Sequence, residues 1–227
     1  DLHSFPTRRS SDLVLMLEVE YTGANSITLS TKSVRAVFDP NIEQFGLANV
    51  NVKDSIIMAT EPRFVATDDS AKLVIDGPGE YEIGDMSIVG IAAQRHIDTA
   101  DAVKSSTIYR VSIGEINGVV LGNISAQLND DQLEQIGMVD FLVIPVGGGG
   151  YTLDHTEASA VVRQIDPKAI IPVHYADPAV KYEVPQDNLA DFVKEVSVAV
   201  VDSGAKWKVK NRSDIPEVPS VIKIDRR

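Results

Sequence analysis

Histidine and carboxylate are the side chains through which this sequence can do chemistry, because it contains no cysteine and only four histidines. Disulfides, thiolate metal sites and a cysteine nucleophile are excluded. Any metal would need imidazole, carboxylate and water. His174 is the best placed. In AIIPVHYADP (169–178) it ends an apolar run, where a buried strand should surface, ahead of the turn-forming Asp177-Pro178. A histidine at a strand mouth commonly holds a metal, provided that further ligands converge on it. Carboxylates gather in DGPGEYE (76–82), where Asp76, Glu80 and Glu82 surround a turn. Such a group can act as acid and base or bind calcium; the plainer reading is a strand–turn–strand connection in which Gly77 and Gly79 relieve backbone strain. Asp39 closes VFDP (37–40) and either joins a site or makes an Asp-Pro turn. Gly147 to Gly150 invite a phosphate-cradle reading ahead of a helix. They lack the Lys-Ser/Thr of a P-loop and GxGxxG spacing, and Asp154 at the helix cap opposes an anion. His155, in the first turn of that helix, reads as a solvated surface residue. No GxSxG marks a serine nucleophile.

The elements that must position these residues are mostly strands. LEVEYT alternates, a Gly-Ala-Asn turn follows, and SITLST, SVRAVFDP, SIIMAT and KLVIDG continue the pattern. EYEIGD and MSIVGIAA are joined at Gly84-Asp85, and STIYRVSIG leads to GVVLGN. After Gly122 helices alternate with strands. DDQLEQIG (130–137) has helical spacing with Asn129 as cap, and Asp154 with Glu157 forms a capping box for a helix through Ile165. QDNLADFVKEV (186–196) is the third helix. VDFLVIPV (139–146) and KAIIPVHY are continuous apolar runs, the mark of strands buried on both faces. SVAVVD, AKWKVK and SVIKID close the chain. Strands first and alternating strands and helices later predict a layered α/β domain.

Bulk composition narrows the partners. The 227 residues carry 21 basic and 33 acidic side chains, a net charge of −12. That balance argues against nucleic acid and against an anionic membrane surface. No stretch reaches membrane-spanning length, and a cytoplasmic location is expected. Residues 1–13 are set aside, because HSFPTRRSSDL resembles a translated DNA-sequencing adaptor; their charges cancel, and Met16 is the expected initiator. Residues 14–227 are expected to form one domain.

The segment from 118 to 175, with VDFLVIPVGGGG and DPKAIIPVHY, resembles the metallo-β-lactamase superfamily. The resemblance is to its small branch of metal-dependent hydrolases related to ascorbate-phosphate lactonases, which read roughly "LLIPVGG…TID…EA…I.PK..IPMHY" here. It extends to VFDP, IDGPGEYEIGD, and EYTGANSI (20–27), where relatives carry "GHS". The resemblance implies a four-layer αββα sandwich with the site at one sandwich edge. It also implies zinc or a similar ion that activates water, held by an HxHxDH motif, a mid-chain histidine, an aspartate and the final histidine. At the HxHxDH position this chain has Thr60-Glu61-Pro62-Arg63-Phe64-Val65. The aspartate of "GDLGH" becomes Asn123 and its histidine Ala126. His96 is a candidate for the mid-chain ligand, and His174 alone matches fully. Asn123 is neutral and offers one carbonyl oxygen. The expectation is a cleft lined by Asp39, Thr60, Glu80, Gly147 and Gly148 without a working metal site or cofactor, serving to bind a small-molecule ligand or a protein partner. His174 is then a partly exposed histidine hydrogen-bonding across a loop. The alternative is a zinc- or manganese-dependent hydrolase of a lactone or phosphoester, using a rearranged site around His174, His96, Asp39 and Glu80.

Overall fold

Period-two alternation sets the first strand: in β1 (Leu17–Gly23) Leu17, Val19 and Tyr21 are buried, and the residues between them are half-exposed. The computed structural model describes residues 16–227 except 67, 69, 100 and 101, so the adaptor-like segment lies outside the described residues. The chain continues through β2 (Ser26–Ser30), β3 (Arg35–Phe38), β4 (Ile56–Met58), β5 (Leu73–Ile75), β6 (Gly79–Ile83), β7 (Met86–Ala93), β8 (Ser106–Ile113) and β9 (Ile116–Val120). Then follow α1 (Asp130–Ile136), β10 (Phe141–Pro145), α2 (His155–Ile165), β11 (Ala169–Val173), α3 (Leu189–Val196), β12 (Ala199–Asp202), β13 (Trp207–Val209) and β14 (Ser220–Lys223).

Two mixed sheets form the expected sandwich. One has six strands in the order β13-β1-β2-β3-β4-β5, the other eight in the order β12-β14-β11-β10-β9-β8-β7-β6. The three closing strands divide between them, because β13 pairs with β1 while β12 and β14 extend the larger sheet. Leu17, Phe38, Tyr109, Phe141 and Trp207 belong to the core cluster that includes residues of both sheets. Fully burying a side chain such as Phe141 contributes about 1.5–3 kcal/mol. A second cluster joins Val119, Leu142 and Ile170 of the larger sheet to Val161 of α2 and Phe192 of α3. Against the smaller sheet, Val37 and Ile57 pack with the loop residues Val52 and Ala66 instead of an α-helix. The continuous apolar runs behave as read: every residue of β10 and β11 is buried.

Both expected caps form. Asn129 with Gln132, and Asp154 with Glu157, make reciprocal capping boxes on α1 and α2. The third helix is shorter than the 186–196 reading. Asp187 is drawn out of it, since its N–H donates to the Gly147 carbonyl and its carbonyl accepts from Ala176. No helix among the described residues is long and apolar enough to cross a membrane.

Parallel pairing decides where a site can lie. β3 and β4 run parallel, as do β9, β10 and β11. Residues just beyond their carboxyl ends are Asp39, Thr60, Asn123, Gly147 and His174. Such ends are where ligands bind in open α/β sheets.

Candidate functional site

His174, Asn25, Asn123 and Glu61 form one buried hydrogen-bonded chain across the two sheets. His174 Nδ1 lies 2.8 Å from Asn25 Oδ1, Asn25 Nδ2 donates to Asn123 Oδ1 at 3.0 Å, and Asn123 Nδ2 donates to Glu61 Oε1 at 2.9 Å. None of the four residues is more than 3% exposed. A second tie joins the sheets, since the His174 N–H donates to the Ala24 carbonyl at 2.9 Å. Local backbone makes this convergence feasible. Ala24 and His174 adopt left-handed conformations, φ +48° and +53°, as the chain turns sharply out of β1 and β11. For a residue with a Cβ this costs about 1–2 kcal/mol. The relay ends in charge: Arg63 Nε lies 3.1 Å from Glu61 Oε2 without hydrogen-bond alignment, and an Arg95 Nη1 lies 3.9 Å from it. Burial lifts the Glu61 carboxyl above the usual range, opposed by Arg63, Asn123 and Arg95. Arg63 is clamped between two rings, 4.4 Å from the centroid of Phe64 and 4.7 Å from that of Tyr151. Arg95 is held by a bidentate pair with Asp98.

His174 is fully covered, which corrects the expectation of a partly exposed histidine. Tyr182 lies 4.7 Å from its ring centroid, Phe45 5.9 Å and Tyr151 6.3 Å. Burial, with Arg63 adding repulsion, lowers its pKa to about 3, so the imidazole is neutral. The space bounded by Phe45, Tyr151, His174, Tyr182 and Gln186 has no room for a water molecule.

Asp39 and Thr60 form a separate unit. Asp39 (φ +47°) accepts from the Thr60 N–H and from Thr60 Oγ1, each at 2.7 Å. Burial raises its carboxyl to about 7 despite those two bonds, and neighbouring Glu61 adds to the rise. Its function here is to hold the segment leaving β4, whose Thr60 carbonyl is also bonded by the Thr107 N–H and Ser106 Oγ. This is more than the Asp-Pro turn.

The other residues singled out in the sequence go elsewhere. The His96 N–H donates to the Asn123 carbonyl, but its ring Nε2 pairs with Glu157 at the start of α2, 2.9 Å away. The His155 side chain is 37% exposed and its Nδ1 lies 3.0 Å from Asp187, which raises its pKa. It is therefore anchored, not merely solvated. Glu80 is exposed on β6, the edge of the larger sheet, with no side-chain hydrogen bond or ion pair among the described residues. Gly147 packs backbone to backbone: a Cβ there would stand 2.1 Å from the His174 carbonyl oxygen. Gly148 has φ +68° and its N–H donates to the Leu153 carbonyl.

These donors do not fit zinc or manganese. His174 is the one imidazole of the cluster, and its Nδ1 partner is a neutral amide. Asn123 spends its nitrogen on Glu61. A dication at Glu61 would meet the guanidinium groups of Arg63 and Arg95. Among the described residues no group of three or more His, Asp or Glu is arranged to hold a metal. Asn25, Glu61, Arg63, Tyr151 and Tyr182 were not singled out in the sequence. Glu61 and Arg63 stand in TEPRF, where a carboxylate and a guanidinium two residues apart were the available signal.

A two-sheet sandwich with its polar centre at the strand ends is the architecture of a metallo-β-lactamase domain. The family model described as "Beta-lactamase superfamily domain" matches residues 18–174, and the chain belongs to that family. Among solved structures it is similar to a "putative zn-dependent hydrolase of the metallo-beta-lactamase superfamily" from Thermotoga maritima. That match has 22% identity and a TM-score of 0.75, and covers 93% of this chain and 100% of that one. It is also similar to Igni18, described as a novel metallo hydrolase from Ignicoccus hospitalis, at 15% identity and a TM-score of 0.61, covering 86% of this chain and 99% of that one. No protein with a curated description matches the sequence.

Proposed function

We propose that this chain is a member of its superfamily that binds without hydrolysing, having given up the metal centre while keeping the scaffold. The observation that carries this reading is the relay. Its histidine is tied to an amide, and its carboxylate is matched by arginine, so the strand ends are joined with no metal ion between them. Hydrolysis on this fold depends on a metal that activates water and polarises the substrate. The closed space over His174 supports the same reading. For a small-molecule ligand this reading offers a groove of about 490 Å³ lined by Asp177, Val180, Tyr182, Pro185 and Gln186. A protein partner is the other kind of binding this reading allows. A rearranged hydrolase site around His174, His96, Asp39 and Glu80 is disfavoured, because these side chains hold separate partners or none.

Metal analysis of the purified chain after dialysis, with hydrolysis of lactones and phosphodiesters measured with and without chelator, tests the proposal. Far less than one metal per chain and no chelator-sensitive turnover are expected. Near-stoichiometric zinc, manganese or iron surviving dialysis, or chelator-sensitive hydrolysis, would overturn it.

A further inference from the structure

The relay has a direction. An ionised carboxylate only accepts hydrogen bonds, so Asn123 must present Nδ2 to Glu61 and keep Oδ1 for Asn25. Asn25 must then answer with Nδ2, leaving its own Oδ1 toward the imidazole. The ring nitrogen facing that oxygen has to carry the proton. His174 is therefore an Nδ1–H imidazole, with the lone pair on Nε2, and the choice is made three hydrogen bonds away.

We propose that the Glu61–Arg63 ion pair does here what a bound metal does elsewhere, fixing the tautomer of the strand-end histidine, and acts through Asn123 and Asn25. Metal-ligating histidines have their tautomer set by the ion on one nitrogen and an oxygen on the other. In this chain an oxygen still faces Nδ1, and the fixed charge has moved to Glu61. Arg63 and Arg95 hold that carboxylate in its accepting form. A residue at 61 that could also donate would let both amides turn over, and the imidazole proton would move to Nε2. Burial of the whole chain leaves bulk water no access with which to satisfy a mismatched amide, so polarity is passed on link by link. Glu61 is thus a positioning residue for His174. The inference rests on the metal-free reading above.

Long-range ¹H–¹⁵N correlation NMR of uniformly ¹⁵N-labelled protein reads the tautomer directly, with the His174 signals assigned by their loss in His174→Asn. The parent should show a protonated Nδ1 and an unprotonated Nε2, favoured by more than about tenfold, as expected of a relay ending on a charged acceptor. In Glu61→Gln, whose amide serves either polarity, the preference should fall to within about threefold. Asn123→Leu, which cuts the relay, gives the same readout if the first variant does not fold. His155, which pairs with Asp187 outside the relay, should be unchanged and serves as internal reference. A metal-free parent with Nε2 protonated, or variants that keep the full Nδ1–H preference, would overturn the proposal alone. Metal content measured on the same sample separates the two readings, since a metal-loaded parent with Nε2 ligated would overturn the metal-free reading itself.

Discussion

Asp39→Asn should change how stability depends on pH, and in a direction that only the two buried groups explain. Folded His174 refuses a proton until about pH 3, whereas an unfolded histidine takes one near 6.5. Its contribution is complete above pH 6.5 and is lost as pH falls toward 3. Asp39 is the opposite case: it keeps its proton to about pH 7 when folded, against 3.8 in an exposed aspartate. Its contribution is complete below pH 3.8 and is lost as pH rises toward 7. Between pH 4.5 and 6 each group has a slope of about 1.4 kcal/mol per pH unit, and the signs are opposed. In the parent these two contributions cancel. Asparagine tolerates the left-handed backbone of position 39 and can still accept from the Thr60 N–H. Asp39→Asn removes one of the two opposed slopes, so relative to the parent stability should rise with pH by about 2 kcal/mol across that window. His174→Asn, also at a left-handed position, should tilt by the same amount the other way. Urea unfolding at pH 4.5, 5.0, 5.5 and 6.0 gives both differences. An Asp39→Asn curve that runs parallel to the parent's, displaced by a constant, would refute the reasoning.

Two further substitutions probe the packing around the relay. Arg63→Met removes the nearer of the two guanidinium groups beside buried Glu61 and should cost up to about 3–5 kcal/mol, whereas adding Glu61→Gln should recover a large part, a coupling that a double-mutant cycle in urea measures. Gly147→Ala places a Cβ against the His174 carbonyl and should lower stability by about 1–3 kcal/mol in thermal unfolding, with parent-like stability refuting the close approach.

Much of the scaffold was legible because it rests on local rules. Continuous apolar runs marked β10 and β11, and Asp154 with Glu157 announced the start of α2 three residues apart. The end of β11 likewise identified His174 as a strand-end residue. The relay obeys no such rule. Its links join positions 149, 98 and 62 residues apart, and Asn25, Asn123 and Glu61 sit in irregular turns where no periodicity applies. The burial of His174 was invisible for the same reason. It depends on Tyr182 and Phe45, brought over it by loops whose conformations are fixed by long-range backbone bonds such as Lys181 N–H to the Phe45 carbonyl. Asp187 looked helical from its neighbours and was taken by Gly147 instead.

The rings over His174 have a kinetic consequence. With no room left between Phe45, Tyr151 and Tyr182, a solute can reach the imidazole only after a ring has swung aside. Its arrival would then be timed by the protein: at high solute concentration the association rate would level off at the frequency of ring displacement instead of climbing in proportion. Chemical modification of His174 would obey the same limit, and so would hydrogen exchange at its ring.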